Sequence, residues 1–238
     1  MTFWQGFKFA HRESLAFIFA CPLLALIPFG SEFLQHVVEM QIGMYDGVEG
    51  AKAAEANPLR MQFGFVKVLA LSIIAYPVIR FLAGDRDKAA AHRLDGRALR
   101  LFAIVLAFQL SLAALDLFAL RELPMMSLGL FVASLVLMPL LLRWAVAAPL
   151  GIWLSPVRSL HEMLPAWLWA VVFGIAVILP LMVAHYALNA GTIFAPDWAK
   201  WPLLIFDTLV VTWLAVVMIA GQWVAATRPG PIAAPAQA

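Results

Sequence analysis

The segment Arg143–Leu164, RWAVAAPLGIWLSPVRSLHEML, separates two long apolar runs of the chain. Pro149 and Gly151 within it are typical of a helix end, because proline cannot continue the backbone hydrogen bonding and glycine tolerates the terminal turn. Ser155 followed by Pro156 is a favourable helix start, with the serine as N-cap and the proline at the first helical position. Apolar runs of membrane-crossing length on both sides of such a turn predict two membrane helices joined at one membrane surface.

The composition of the whole chain agrees with a membrane protein. Hydrophobic residues make up 64% of the 238 residues, charged residues 13%, and the mean hydropathy is +0.91. A soluble domain carries about 25% charged residues, so this chain has too little polar surface for water. The net charge of +2 without a basic block argues against a nucleic-acid partner. A single cysteine, Cys21, excludes an internal disulfide and a zinc site built from paired cysteines.

Six apolar runs are close to the ~20 residues that a helix needs to cross the hydrocarbon core. They are residues 14–31, 61–83, 98–120, 125–147, 165–190 and 202–225. We therefore predict an all-α polytopic membrane protein, with a six-helix transmembrane domain over residues 1–227 and short interfacial helices. The Pro/Ala-rich segment 228–238 is predicted to be a disordered cytoplasmic tail.

Lysine and arginine are distributed unequally between the two sides of this arrangement. Eleven fall on the side that contains both termini and five on the other, which accounts for all 16. By the positive-inside rule, this bias predicts that the N- and C-termini are cytoplasmic. The expected location is a cell membrane crossed several times, the bacterial inner membrane.

The segment after the fourth run is expected to form a short helix in the plane of the membrane. The residues singled out in this interfacial helix are Ser155, Pro156, Arg158, His161 and Glu162. Val157, Leu160 and Leu164 share one helical face, which we expect to dock at the acyl boundary. Arg143, one turn before the end of the fourth run, is expected to extend its guanidinium to lipid phosphates.

No catalytic or metal-binding motif was found. The patterns GxSxG, HExxH and GxxxxGK[ST] do not occur in the sequence. The five histidines are scattered without an i, i+4 pair, which argues against a metal site. We therefore predict a protein that is not an enzyme and that has no metal or other cofactor.

Four titratable residues on four predicted helices lie at a similar depth, in the outer third of the bilayer. This candidate polar layer consists of Lys67, Asp116, His185 and Asp207. Charges inside a membrane are costly, so such groups usually pair with one another or line a polar cavity. The first alternative is therefore that Lys67 pairs with Asp207 or Asp116. The second is that Lys67 and Asp116 extend to the interface and Asp207 makes one structural pair.

The unit APLGIWLSPVRSL, residues 148–160, follows an arginine-bearing helix end. In this unit the chain resembles a bacterial group of six-helix membrane proteins. The group includes the membrane domain attached to some glycerophosphodiester phosphodiesterases and stand-alone relatives of unknown role. The resemblance implies a six-helix fold and a role in membrane or lipid homeostasis, and it carries over no active-site residue.

Two functions follow as expectations. The first is a non-enzymatic integral membrane protein that supports membrane or lipid homeostasis or stabilises a larger membrane complex. The alternative is a transporter or channel for a small solute or proton, built around the outer polar layer. The expected partners are membrane lipids and, in addition, other membrane proteins or further copies of the same chain.

Overall fold

The computed structural model describes residues 1–120 and 123–232, and within them every regular element is helical. The α-helices are α1 (Phe3–Ala20), α2 (Pro22–Gln41), α3 (Gly47–Glu55), α4 (Pro58–Ile73), α5 (Ala75–Ala83), α6 (Lys88–His92), α7 (Gly96–Ala114), α8 (Pro124–Leu140), α9 (Leu142–Ala147), α10 (Pro156–Met163), α11 (Trp167–Phe194) and α12 (Asp197–Thr227). A π-helical turn (Leu115–Ala119) extends α7, and 3₁₀ turns (Ala148–Leu150 and Leu164–Ala166) follow α9 and α10. The predicted all-α fold is confirmed.

Several helices are long and apolar enough to cross a membrane. Four continuous helical stretches pass this test over the described residues: Pro58–Ala83, Gly96–Ala119, Pro156–Phe194 and Asp197–Thr227. The pairs α1–α2 and α8–α9 pass together but are bent by 101° and 59°, and the number rises to six if each pair is one span. The chain is therefore a multi-pass helical membrane protein.

Helix α12 forms the centre of the bundle and packs against α1, α2, α5, α9 and α11. Val216, Val217 and Ala220 on this helix are completely buried. Close packing against α11 depends on Gly221, because a Cβ atom there would lie 2.7 Å from Cγ1 of Val177. Small residues at such contacts allow two membrane helices to approach closely.

The first predicted span, residues 14–31, is not one straight helix. The chain bends by 101° between α1 and α2, and Cys21 at the junction has non-helical dihedral angles (φ −128°, ψ 58°). Pro22 explains this break, since it lacks an N–H group and its ring disfavours the α conformation of the residue before it. Helix α2, over residues 22–41, packs beside α12 in place of the predicted run.

The predicted interfacial helix exists but is not separate. Ser155 caps α10 by accepting a hydrogen bond from the Arg158 backbone N–H, with Pro156 at its first position, as predicted. Helical turns then continue through Leu164–Ala166 into α11, giving one stretch of 39 residues. This stretch is about 58 Å long, nearly twice the ~30 Å hydrocarbon core. The prediction of an independent helix in the membrane plane is therefore wrong.

Helix α10 packs against the bundle through a face other than the one predicted to meet the acyl boundary. Ser159 and Met163 are the buried residues of α10, whereas Val157 is exposed. The Ser159 hydroxyl donates to the Leu140 carbonyl and accepts a hydrogen bond from the Trp144 backbone N–H. These contacts hold α10 against the α8–α9 pair.

Arg143 is buried within the protein rather than extended to lipid. Its guanidinium donates to the backbone carbonyls of Ala226 and Gly230, and its Nε lies 2.5 Å from Oε2 of Glu162. The last carbonyls of a helix lack intrahelical partners and favour a cation, which explains why the end of α12 attracts this arginine. Residues 228–232 of the predicted tail thus include groups bound to the bundle, and residues 233–238 lie outside the described residues.

Candidate functional site

A cluster of polar and charged side chains is buried where α2, α4, α11 and α12 meet. We call it the polar cluster, and its members are Glu32, His36, Glu39, Tyr45, Arg60, Lys67, His185, Asn189 and Asp207. It lies toward the end of the bundle that carries residues 42–57. Ionisable groups inside a membrane domain are costly to bury and mark functional sites by default, so this cluster is the candidate site.

Helix α2 contributes three members from one face. Glu32, His36 and Glu39 are spaced i, i+4 and i+7, which places their side chains above one another along an α-helix. All three are almost completely buried, with exposed fractions of 1%, 1% and 2%. The polar face of α2 therefore points into the bundle, toward α12.

The imidazole of His36 is the central group of the cluster. Its Nε2 lies 3.0 Å from Oδ2 of Asp207 and 3.5 Å from Oε1 of Glu32. Its Nδ1 lies 3.2 Å from Oε2 of Glu39. Both ring nitrogens thus face carboxylate oxygens, and this ring connects α2 to α12.

Glu39 is held by three donors besides His36. Its carboxylate accepts hydrogen bonds from Gln35 Nε2 (3.0 Å), Tyr45 Oη (2.9 Å) and Arg60 Nε (2.9 Å). Tyr45 lies between α2 and α3, and burial raises the pKa of its phenol, with the nearby Glu39 charge adding to the increase. The phenol therefore stays protonated and acts as a donor, which fixes the position of Glu39.

Asp207 of α12 is completely buried and is bound from α11 as well as from α2. His185 Nδ1 lies 2.8 Å from Oδ1 of Asp207, and Asn189 Nδ2 donates to Oδ2 over 2.8 Å. His185 and Asn189 are spaced i, i+4, so one face of α11 supplies both groups. Three helices therefore converge on this single carboxylate.

The structure brings together three of the four residues of the predicted polar layer. Lys67, His185 and Asp207 belong to the polar cluster, but Lys67 pairs with Glu32 rather than with Asp207 or Asp116. Asp116 lies apart from the cluster, exposed in the π-helical turn, where it accepts a hydrogen bond of 2.6 Å from the Ser127 hydroxyl. Asp116 is thus not part of the candidate site.

The sequence analysis missed the three residues of α2. The first apolar run ends at residue 31, so these three residues lie outside the predicted spans. Neither a pair of histidines nor HExxH describes their spacing. The spacing Glu32-x₃-His36-x₂-Glu39, which places an acid on each side of a histidine on one helical face, was the available signal.

The other predicted group, on α10, makes contacts of a different kind. Arg158 Nε lies 2.6 Å from Oε1 of Glu162, an i, i+4 pair, and His161 Nδ1 lies 2.9 Å from the Val157 carbonyl. These are local helix contacts at the end of the bundle opposite to the polar cluster. Glu162 also pairs with Arg143, so these residues hold α10 and α9 together and do not form a second buried polar cluster.

The polar cluster is negatively charged when its histidines are neutral, and a cleft leads toward it. Three carboxylates (Glu32, Glu39 and Asp207) face two permanently charged cations, Arg60 and Lys67. A cleft of about 330 Å³ is lined by Met44, Val48, Ala51, Lys52, Glu55, Arg60 and Ile193. Arg60 belongs both to the cleft and to the cluster, so the negative site can be approached from the end that carries residues 42–57.

Comparison of the chain with known protein families, characterised proteins and solved structures finds no match. The resemblance carried by residues 148–160 therefore stays a prediction. The class defined by the fold and the cluster is a multi-pass helical membrane protein with a buried polar site.

Proposed function

We propose that this protein binds a cation in the polar cluster and moves it across the membrane. This is the alternative function expected from the sequence, a small-solute or proton transporter, with the cluster as its binding site. The observation that carries it is the group of three buried carboxylates that only two permanent cations face. When His36 and His185 are neutral, the cluster holds one negative charge in excess, and a bound cation stabilises such a charge inside a membrane domain.

The cluster contains more ionisable side chains than one structural ion pair requires. A single pair such as Lys67–Glu32 would suffice to neutralise one buried charge on α2. Asp207 instead faces His36, His185 and Asn189, which supply nitrogen atoms and no permanent positive charge. Chains of Asp, Glu and His side chains in membrane helices are characteristic of ion and proton pathways.

Two cavities are relevant to the path of a cation through the bundle. The cleft at Arg60 approaches it from one end of the bundle. A second cavity of about 180 Å³ has Ser72, Gln109 and Gln222 among its lining residues. Ser72 follows Lys67 by five residues on α4, about 7.5 Å along the helix axis. This cavity therefore lies further from residues 42–57 than Lys67 does, and Ser72, Gln109 and Gln222 are the polar residues of a mostly apolar lining.

Flux into proteoliposomes tests the proposal. The full chain is reconstituted, and uptake of H⁺, Na⁺, K⁺, Zn²⁺ and Mn²⁺ is followed with internal dyes under an imposed membrane potential. We expect protein-dependent uptake of at least one cation, reduced at least tenfold in Asp207→Asn. Asp116→Asn is the matched control, because Asp116 is exposed and outside the cluster. Uptake no greater than in empty vesicles, or undiminished in Asp207→Asn, would contradict transport through the cluster.

One observation favours the first expected function, a role with membrane lipids. An apolar groove of about 620 Å³ lies between α2, α4, α5 and α7 and includes Leu24, Ile27 and Leu106 in its lining. His92 and Leu94 also line it, and the basic side chains Lys88, Arg93 and Arg97 belong to the same loop region. This pairing of charge and apolar space suits the acyl chain of an anionic phospholipid.

Native mass spectrometry from mild detergent tests this second candidate. We expect an anionic phospholipid to stay bound to the full chain and to be lost from Arg93→Ala/Arg97→Ala. Retention of zwitterionic lipid alone, or equal retention by the double variant, would exclude a selective lipid site in this groove. Lys52→Ala, a basic residue at the other end of the bundle, is the control for loss of one positive charge.

A further inference from the structure

We infer that the polar cluster contains a binding site for a divalent transition-metal ion. The ligands would be Oε1 of Glu32, Nε2 of His36 and Oδ2 of Asp207. The inference deepens the proposed function, on which it rests for its role, by naming the class of cation. It departs from the expectation that the chain binds no metal.

The spacing of the three ligand atoms fits one small metal ion. His36 Nε2 lies 3.0 Å from Asp207 Oδ2 and 3.5 Å from Glu32 Oε1, and one ligand atom from each of the three residues lies within 4.8 Å of the others. Ligand bonds of about 2.0–2.2 Å around tetrahedral Zn²⁺ place neighbouring ligand atoms roughly 3.3–3.5 Å apart. The two separations that involve His36 are therefore close to those of such a site.

A metal ion at Nε2 of His36 would take the place of the hydrogen bond between Nε2 and Asp207. When Nδ1 donates its proton to Glu39, the neutral ring presents the Nε2 lone pair to the two carboxylate oxygens of Glu32 and Asp207. Three electron-pair donors then face one another. A metal-bound histidine typically donates its other N–H to a carboxylate, and Glu39 occupies that place here.

Glu32 makes an ion pair with Lys67 that a metal ion would replace. Its Oε2 atom is buried and makes no hydrogen bond to the described residues, and the ammonium of Lys67 lies 3.0 Å away as an ion pair. The Lys67 side chain is 20% exposed, at the edge of the cluster, whereas Glu32 is 1% exposed. A lysine in this position can withdraw toward the membrane surface and leave both oxygens of Glu32 to an ion.

The donor set also identifies the class of metal. One imidazole nitrogen and two carboxylates suit Zn²⁺, Mn²⁺ and Fe²⁺, whereas Ca²⁺ and Mg²⁺ prefer oxygen ligands throughout. His185 and Asn189 hold Asp207 from the opposite side, as groups around a metal site hold its ligands in place. The proposed ligands therefore come from α2 and α12, and the groups that hold Asp207 in place come from α11.

Calorimetric titration with Zn²⁺ tests the site. The full chain in mild detergent, stripped with a chelator, is titrated with Zn²⁺ alone, and its folded state is checked by gel filtration. We expect one Zn²⁺ per chain, with affinity at least tenfold lower in Glu32→Gln and in Asp207→Asn. Glu39→Gln is expected to lose ten- to a hundredfold, the range for groups that orient a metal ligand. His161→Gln and Asp116→Asn are controls with unchanged affinity.

Lys67→Met gives an independent result from a variant that keeps all three ligands. Removal of the competing ammonium should increase Zn²⁺ affinity, whereas a structural role of Lys67 alone would lower it or leave it unchanged. Absence of one-site Zn²⁺ binding to the folded wild-type chain would overturn the inference, as would wild-type affinity in Glu32→Gln. Flux of another cation without Zn²⁺ binding would overturn the metal site and leave the proposed transport intact. Zn²⁺ binding without flux of any cation would support the metal site and contradict the proposed transport.

Discussion

The ammonium of Lys67 lies 3.0 Å from Oε2 of Glu32, so the lysine of α4 pairs with α2 rather than with α7 or α12. Lys67→Met would remove the cation that pairs with the Glu32 carboxylate, which is 1% exposed. Removing one partner of a buried pair costs about 3–5 kcal/mol, and the partial exposure of Lys67 reduces our expectation to about 2 kcal/mol. Thermal unfolding in detergent measures this loss.

A double variant and a matched pair test the cause of that loss. Lys67→Met combined with Glu32→Gln should recover much of the stability, because neither charge then remains. Lys52→Met removes a lysine from an equally short pair with Glu49, whose side chains are 66% and 87% exposed. That change should cost less than ~0.5 kcal/mol. Equal effects of the two lysine substitutions would contradict a buried pair at Lys67.

Gly221 determines how closely α11 and α12 approach. Gly221→Ala would place a Cβ atom 2.7 Å from Val177 Cγ1 and is expected to destabilise the bundle by about 1–3 kcal/mol through overpacking. Gly174→Ala on α11 is the control, since a Cβ there meets no atom of the described residues within 4 Å. The melting temperature should fall for the first variant and stay level or rise for the second.

Arg143 connects the end of α12 to α10, and its loss should be costly. Arg143→Ala removes donors from Ala226 and Gly230 and the ion-pair partner of Glu162, for an expected loss of about 3 kcal/mol. Arg158 pairs with the same carboxylate but is 47% exposed, so Arg158→Ala should cost less than ~1 kcal/mol. Comparable losses measured by thermal unfolding would argue against an anchoring role for Arg143.

The predicted orientation can be tested by labelling, because Cys21 is buried and contributes little background. Cysteines at Glu49 and Asp197, two residues whose side chains are 87% and 95% exposed, should react with an impermeant thiol reagent in intact cells. A cysteine at Asp87, on the opposite end of the bundle, should react only after the cells are opened. Labelling of position 87 in intact cells would reverse the orientation.

Hydropathy predicted where most helices lie but not where they bend. Pro28, Pro180 and Pro202 all lie within continuous helices, whereas Pro22 ends α1 with a sharp turn. Each of these prolines removes one backbone donor and can disturb the helix before it. The presence of a proline in an apolar run therefore does not by itself tell whether the helix continues or bends.

The candidate site was predictable where a charge interrupts an apolar run. Asp207 and His185 were found in this way, because a charge within a long apolar run stands out. His36 and Glu32 were not, since they sit where α2 changes from apolar to mixed composition, a pattern that also fits a surface segment. Their burial follows from the contact with α12, and a partner 171 residues away cannot be identified from local sequence.

The central place of α12 has a consequence for biogenesis. Each helix that packs against α12 precedes it in the chain, so the earlier helices leave the ribosome and enter the membrane before their common partner exists. Until α12 arrives, His36 lacks Asp207, and Arg143 lacks the carbonyls at the end of that helix. The bundle must therefore mature after translation of its last helix, and a chain halted before residue 197 would present unpaired polar groups to membrane quality control.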